Sequence, residues 1–305
     1  MNEVKTHLKL TFVAAAWGLA WSAGRWVAND LSNHPVFASW LRYAMAVPVF
    51  LIWLHLASGL KRPTPRQRKR LIAIGFFSTV MYQVLFMLGM RWTAAGDASL
   101  VITLNPLFTG LLAVVVLRQP MTGRLGSGLL LGLLGVGVLF AASPNTNIPA
   151  AERLLGNVLI GAAALSWATS TLLMRRAMDV PSSEDDGPMG PLQLTVWSST
   201  AGLVMLTPLA GWELLEGGVP AVGSISLVSI VFLALISTVL TYVWFAEGVE
   251  RIGASRAAAY VYLVPVFGIL SGWILLDEQL GWSLVLAFVL IIGGVVLAQS
   301  RPAKT

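Results

Sequence analysis

GDASLVITLNPLFTGLLAVVVLRQP at Gly96–Pro120 and SRAAAYVYLVPVFGILSGWILLDEQ at Ser255–Gln279 decide how this chain is read. A shift of 159 positions lays Pro106 on Pro265, Phe108 on Phe267 and Leu117 on Leu276. Phe86 then meets Phe245, Gly89 meets Gly248, and Gly135 meets Gly294. Each copy reads as an apolar helix with a proline near its middle. A proline inside a helix removes a backbone donor and frees the carbonyl one turn back. In lipid that carbonyl has no water to turn to, so such helices face protein or a wet cavity. One such proline reads as a tolerated kink. Two at matched places point to a site between two halves of the chain.

The composition puts both stretches in a bilayer. Apolar residues make up 56% of the 305 and charged residues only 11%, against about a quarter in soluble domains. No polar run is long enough to fold as a soluble domain, so the net charge of +6 is not a nucleic-acid signal. The absence of cysteine excludes disulfides and thiolate metal sites. The first apolar run continues into the fold with no small-residue cleavage site, and so does not read as a signal peptide.

A membrane crossing takes roughly 20 apolar residues, and the chain offers ten such segments: Leu8–Ala28, Pro35–Ala57, Leu71–Met90, Ala94–Leu117, Gly123–Ala142, Leu154–Met178, Pro191–Trp212, Ser224–Ala246, Ser255–Leu276 and Trp282–Gln299. With the N-terminus in the cytoplasm, the basic cluster Lys61–Arg70 and Arg118, Arg124, Arg175, Arg176, Arg251, Arg256, Arg301 and Lys304 all fall inside. Only Arg91 and Arg153 fall outside. The positive-inside rule then places both termini in the cytoplasm. The expected location is a cell (inner or plasma) membrane, multi-pass.

The repeat extends beyond the opening pair. Trp17 matches Trp167 and Arg25 matches Arg175 at an offset of 150, and Pro35 matches Pro191 at 156. Residues 1–147 and 148–305 are thus expected to form two repeats of one membrane domain. Five helices is an odd number, so the second repeat enters the membrane inverted. Inverted repeats with a midplane site between them mark secondary transporters. The fold class expected is an all-α membrane protein of ten transmembrane helices in two inverted five-helix repeats.

These residues resemble a known family. WGLAWSAGRW in helix one, WATSTLLMRR in helix six, and FMLGMRWTAAGDASLVITLNPLFTGLLAVVVLRQP with its partner FAEGVERIGASRAAAYVYLVPVFGILSGWILLDEQL are similar to the EamA-type transporters of the drug/metabolite transporter superfamily, including their aromatic amino-acid exporters. The resemblance covers nearly the whole chain. It implies small-molecule transport and leaves amino acids, metabolites and drugs open as substrates. The family carries an acidic residue after the fourth helix of each half; Glu278 keeps it, and Gln119 replaces it.

For the site, the sequence places no Asp or Glu deep in any segment; Asp97 and Glu278 are read as end residues. An intramembrane carboxylate is the usual proton relay or cation counter-charge, so its absence speaks against proton-coupled drug antiport. Arg42, some seven residues into helix two, either snorkels outward or docks a substrate carboxylate. Arg25 lies at the disfavoured outer end and calls for a specific partner. Trp17 with Trp21, Tyr82 with Phe86, and Trp167 with Thr171 are each spaced to share a helix face. Such stripes serve helix packing by default. Their places in corresponding helices otherwise rich in Ala, Gly and Ser favour an aromatic-lined cavity. Tyr242 and Tyr260 fall inside their segments and join the candidates. Thr103 and Asn105 beside Pro106 bond either across helices or to substrate. Pro106 and Pro265 are expected as hinges or cavity walls. The glycines of helices five and ten point to close packing or to a homodimer.

No nucleophile elbow, phosphate loop or metal cluster is present, so no enzyme activity and no cofactor are expected. The chain reads as a secondary transporter that exports small metabolites by alternating access, amino acids with aromatic or hydrophobic preference first among them. Export of drugs or cationic xenobiotics is the alternative within transport, and a membrane pore or channel is the alternative of another class. The partners expected are a small-molecule substrate and the lipid bilayer, with no nucleic acid.

Overall fold

The computed structural model describes residues 3–145, 147–178, 189–252, 257 and 260–299. Among these residues there are helices and no strand. In chain order the helices are α1 (Glu3–Asp30), α2 (Pro35–Ser58), α3 (Pro65–Gly75), α4 (Tyr82–Trp92), α5 (Ala95–Val101), α6 (Asn105–Leu117), α7 (Gly123–Ala142), α8 (Ala150–Met178), α9 (Pro191–Gly217), α10 (Ser224–Val231), α11 (Thr241–Ile252), α12 (Val264–Leu276) and α13 (Trp282–Gln299). A π-helical stretch, Phe76–Met81, joins α3 to α4, and a second, Phe232–Leu240, joins α10 to α11. Eight helical stretches among the described residues are long and apolar enough to cross a membrane, and Val264–Leu276 is a shorter apolar one.

Local signals set the boundaries. Pro35, Pro65 and Pro191 open α2, α3 and α9, where proline's missing donor costs nothing. Thr64 and Gln67 cap the start of α3 reciprocally.

The first matched stretch is one helical run, Ala95–Val116, with Pro106 near its middle. A 3-10 turn over Ile102–Leu104 separates α5 from α6, and Pro106 lies in the first turn of α6. Pro265 holds the same place in α12. Pro106 follows a tightening of that run, and Pro265 lies in the first turn of α12. A proline ring would crowd the carbonyl one turn back in a regular α-helix, and the 3-10 turn falls on the residues just before Pro106. Ser255, Arg256, Ala258 and Ala259, at the start of the ninth segment, lie outside the described residues, as do Arg301 and Lys304. The two stretches also end alike. Arg118 and Asp277 are left-handed at φ 53° and 54°, and the next N–H groups, of Gln119 and Glu278, reach back to Ala113 O and Gly272 O. All three pairs keep the 159-residue offset.

The π segments obey the same offset. Thr79 in the first corresponds to Thr238 in the second. A π turn widens the helix and releases carbonyls from the i→i−4 ladder, and it is frequent at functional sites.

Packing is reciprocal. α1 lies against α12 and α11, while α8 lies against α6 and α4; α2 pairs with α9, and α7 with α13. Glycine allows the closest approaches. A methyl on Gly128 would run into Gly294 O, and one on Gly294 into Gly128 O. The α7–α13 glycines expected for close packing or dimerisation are therefore engaged within the chain, whereas Gly137 and Gly293 face open space. The main apolar core runs from Val27 and Phe86 to Leu107 and Ile291. A second core, around Phe50, Val196 and Ala234, sits between α2, α9 and the second π segment.

Candidate functional site

Aromatic rings from α1, α2, α4, α8 and α11 form two linked rows. In the first, Trp167 meets Tyr82 at 5.2 Å between centroids, Tyr82 stacks on Phe86 at 6.2 Å, and Phe86 meets Trp21 at 5.3 Å. In the second, Trp17 meets Phe245 at 5.4 Å and Tyr242 at 6.3 Å, and Tyr242 meets Phe50 at 6.2 Å. Trp17 Nε1 donates to Ser237 O, in the second π segment, at 3.1 Å and to Thr241 Oγ1, at the start of α11, at 2.9 Å. The rows answer each other across the halves. Trp17 and Trp167 correspond, as do Phe245 and Phe86, and Thr241 and Tyr82.

Arg42 sits beside the rows. Its side chain is buried, 9% exposed, and does not snorkel. Nη1 donates to Gln83 Oε1 at 3.2 Å, and Nη2 to Thr238 Oγ1 at 2.9 Å. Gln83 in turn donates to the Tyr43 hydroxyl at 3.3 Å. Tyr82 and Tyr242 lie within reach of the Arg42 charge. Nε is enclosed without a partner, and among the described residues the ion pair found is Lys9–Glu247. A buried guanidinium held by two neutral oxygens is under-compensated, since taking an ion out of water costs several kcal/mol. Its open requirement is an anion, and the planar fork suits a carboxylate.

The remaining candidates divide. Thr103 is buried but donates to its own helix at Leu100 O. Asn105 keeps an enclosed Oδ1 with no partner. Thr171 is exposed and bonds back to Trp167 O, so it does not join the rows. Tyr260 lies at the end where α1 begins, with its hydroxyl 2.5 Å from His7 Nδ1. Pro265 is buried and Pro106 half-buried, each at its helix start. The sequence reading missed Gln83, Thr238, Tyr43 and Phe50. Thr238 was open to discovery, because the 159-residue shift pairs it with Thr79.

Carboxylates close the opposite end of the bundle, where α2, α5 and α10 begin. Glu213 accepts from Val36 N–H at 3.2 Å and Phe37 N–H at 2.6 Å. Asp30 accepts from Gly223 N–H at 2.9 Å. Glu278 accepts from Ala95 N–H at 2.6 Å and Gly96 N–H at 2.9 Å. Each carboxylate comes from one helix end and occupies the positive N-terminus of another. Burial pushes the Glu278 carboxyl above its usual range, while the two N–H bonds and the nearby Arg25 charge pull it back. Arg25 has the specific partners expected of it: it donates to Met90 O at 2.6 Å and to Thr93 O. One expectation is overturned here. Asp97, read as an end residue, is fully buried, and neither of its oxygens has a hydrogen-bond partner. Sequence position put it near a helix end, and packing of α5 against α1, α8, α12 and α13 then sealed that end. At the other end Lys9 Nζ pairs with Glu247 at 2.6 Å.

Comparison with known proteins agrees with this architecture. The profile of the EamA-like transporter family matches residues 5–141 and again residues 154–299. An uncharacterized transporter of Archaeoglobus fulgidus is 27% identical over 299 residues, covering 98% of this chain and 100% of its own. The uncharacterized transporter YyaM of Bacillus subtilis is 26% identical, covering 97% and 96%. A probable terminal-alkyne amino-acid exporter of Streptantibioticus cattleyicolor is 26% identical, covering 100% and 99%. One solved crystal structure has the same fold, with a TM-score of 0.60 at 18% identity over 98% of this chain and 97% of that one. Matched twice along its length and built of membrane-length helices, the chain belongs to the EamA-like transporter family, and its activity is transport of small molecules across a membrane.

Proposed function

We propose that this transporter exports amino acids with aromatic or other hydrophobic side chains from the cytoplasm by alternating access. The observation that carries the reading is Arg42, a buried cation without a carboxylate partner among the described residues, set beside aromatic rows. The guanidinium takes the substrate carboxylate, the rings take its side chain, and the faces of Tyr82 and Tyr242 offer cation–π contact to its ammonium. The probable amino-acid exporter among the relatives is in keeping with this substrate class. A buried cation counts against drugs and cationic xenobiotics, which it would repel.

The chain works as ten membrane segments in two inverted repeats, residues 1–147 and 148–305, with both termini cytoplasmic. The reciprocal packing and the 159-residue correspondences support that arrangement. The carboxylate caps Asp30, Glu213 and Glu278 then form the outer gate, and Lys9–Glu247 with His7–Tyr260 forms the inner one. Pro106 and Pro265, at the helix breaks, serve as the hinges. A second copy docking on α7 and α13 would use their open sides at Gly137 and Gly293.

Purified protein in liposomes tests the reading. Labelled phenylalanine should enter in a saturable way, and unlabelled substrate on the far side should accelerate it. Phenethylamine, which lacks the carboxylate, should not be moved. Transport of phenethylamine or of a quaternary amine with none of phenylalanine would replace amino acids by cations, and non-saturating flux would make the protein a pore.

A further inference from the structure

The Asp97 carboxylate is the least compensated acidic group in the described structure. It lies in the first turn of α5, fully buried, with no hydrogen bond to either oxygen. The N–H groups that could have served it, those of Ala95 and Gly96, are taken by Glu278. Two carboxylates thus converge on the first turn of α5. Like charges this close repel when both are ionised.

The surrounding charges relieve Asp97 only in part, and none bonds to it. From α8, Arg153 is near it, but its Nη groups go to the carbonyls of Asn145, Ile148 and Phe140. From α1, Arg25 is near Glu278 and spends its Nη1 on Met90 and Thr93 carbonyls. From α4, Arg91 turns away to Ser32 O. From the end of α7, the Ser143 hydroxyl faces Asp97 without reaching hydrogen-bond geometry. Asp277, next to Glu278, is exposed, Glu152 lines an outward-opening cavity with Arg25 and Arg91, and α13 carries no charged residue.

We propose that Asp97 is a proton-binding site and that its protonation sets the Glu278 latch. With Asp97 neutral, Glu278 stays on the first turn of α5 and the end of the bundle remains shut. With Asp97 ionised, the second negative charge drives Glu278 off the Ala95 and Gly96 N–H groups and water enters. The proton comes from the solvent side and returns there. This inference rests on the transport reading for its consequence, because the latch is one of the proposed outer gates. Acid on the outer face then slows export, by about tenfold per pH unit below the midpoint, the slope of a single proton.

Infrared difference spectroscopy on the reconstituted protein tests the site without any substrate. The chain has five other aspartates, so the signal is the wild-type spectrum minus that of Asp97→Asn: with carboxyl-13C aspartate, this difference should contain a pH-titrating carboxyl C=O component that moves with the label. If Asp97→Asn does not fold, Asp97→Glu should lose that labelled component and gain an unlabelled one with a shifted midpoint. Titrating aspartate bands that are identical in wild type and the variant overturn the proposal whatever the transport result. Phenylalanine counterflow tests the consequence. Wild type should slow as the outer pH falls, and Asp97→Asn, permanently neutral, should be slow at every pH. A wild-type rate that does not change with outer pH refutes control of the latch while leaving transport intact. No counterflow at any pH refutes the transport reading instead, and the infrared band then decides the proton site alone.

Discussion

Arg42 concentrates the functional reading in one side chain. Its two hydrogen bonds go to neutral oxygens, so an arriving carboxylate finds a cation already desolvated and oriented. A hydrogen bond to a charged group contributes about 1.5–3 kcal/mol. Arg42→Gln should therefore raise the KM for phenylalanine by about 10- to 100-fold, since 1.4 kcal/mol is about a factor of ten. Arg42→Lys keeps the charge and loses the fork, and should fall between the two. Equal KM for all three proteins would remove Arg42 from the site. Trp167 contacts Tyr82 from the second half of the chain, so Trp167→Ala should lower the transport rate while the amount of folded protein in the membrane holds. Thr171→Ala is the control, because the exposed Thr171 hydroxyl only bonds back along its own helix. Unchanged kinetics in Trp167→Ala would return that ring to helix packing.

At the scale of elements, breaks in the helices matter as much as the helices. The 3-10 turn before Asn105, the first-turn prolines and the two π segments all fall in stretches that the 159-residue shift superposes. Such irregular backbone is kept in a membrane where it is buried in protein or lines a wet space. The α7–α13 pair is the rigid counterpart. Gly128→Leu would force its side chain against Gly294 O, and overpacking costs about 1–3 kcal/mol. Thermal unfolding in detergent should show a clear fall in Tm for Gly128→Leu and little change for Gly137→Leu, which meets open space. Similar losses in both would mean that the outer side of α7 is also in contact, with a second copy the natural candidate. The carboxylate caps give a further test. Glu213→Gln removes the charge that holds the start of α2 and should increase labelling of a cysteine placed at that mouth.

For the whole molecule, the proposed alternating access would have the Glu213–Glu278 end and the Lys9–Glu247 end open in turn. Orientation is directly measurable, because the chain has no cysteine of its own. A membrane-impermeant thiol reagent added to intact cells should label Val219→Cys, in the loop after α9, and not Arg62→Cys, in the basic loop before α3. The reverse pattern would invert the assignment of the gates and place Asp97 on the cytoplasmic side.

The membrane class and the twofold matching were legible in composition and in spacing, and the family resemblance in motifs such as WGLAWSAGRW and WATSTLLMRR, all of which survive without coordinates. It also marked Trp17, Trp21, Tyr82, Phe86, Trp167 and Tyr242, which the fold brings into two rows. Burial was set by packing. Arg42 could snorkel or be enclosed on sequence grounds, and packing of α2 against α4 and the second π segment enclosed it. Asp97 lies only a few residues from a helix end, where water is normally at hand, and four other helices sealed that end over it. Whether a charge near a helix terminus meets solvent is set by what the rest of the chain lays across that terminus, and no local pattern of residues carries that information.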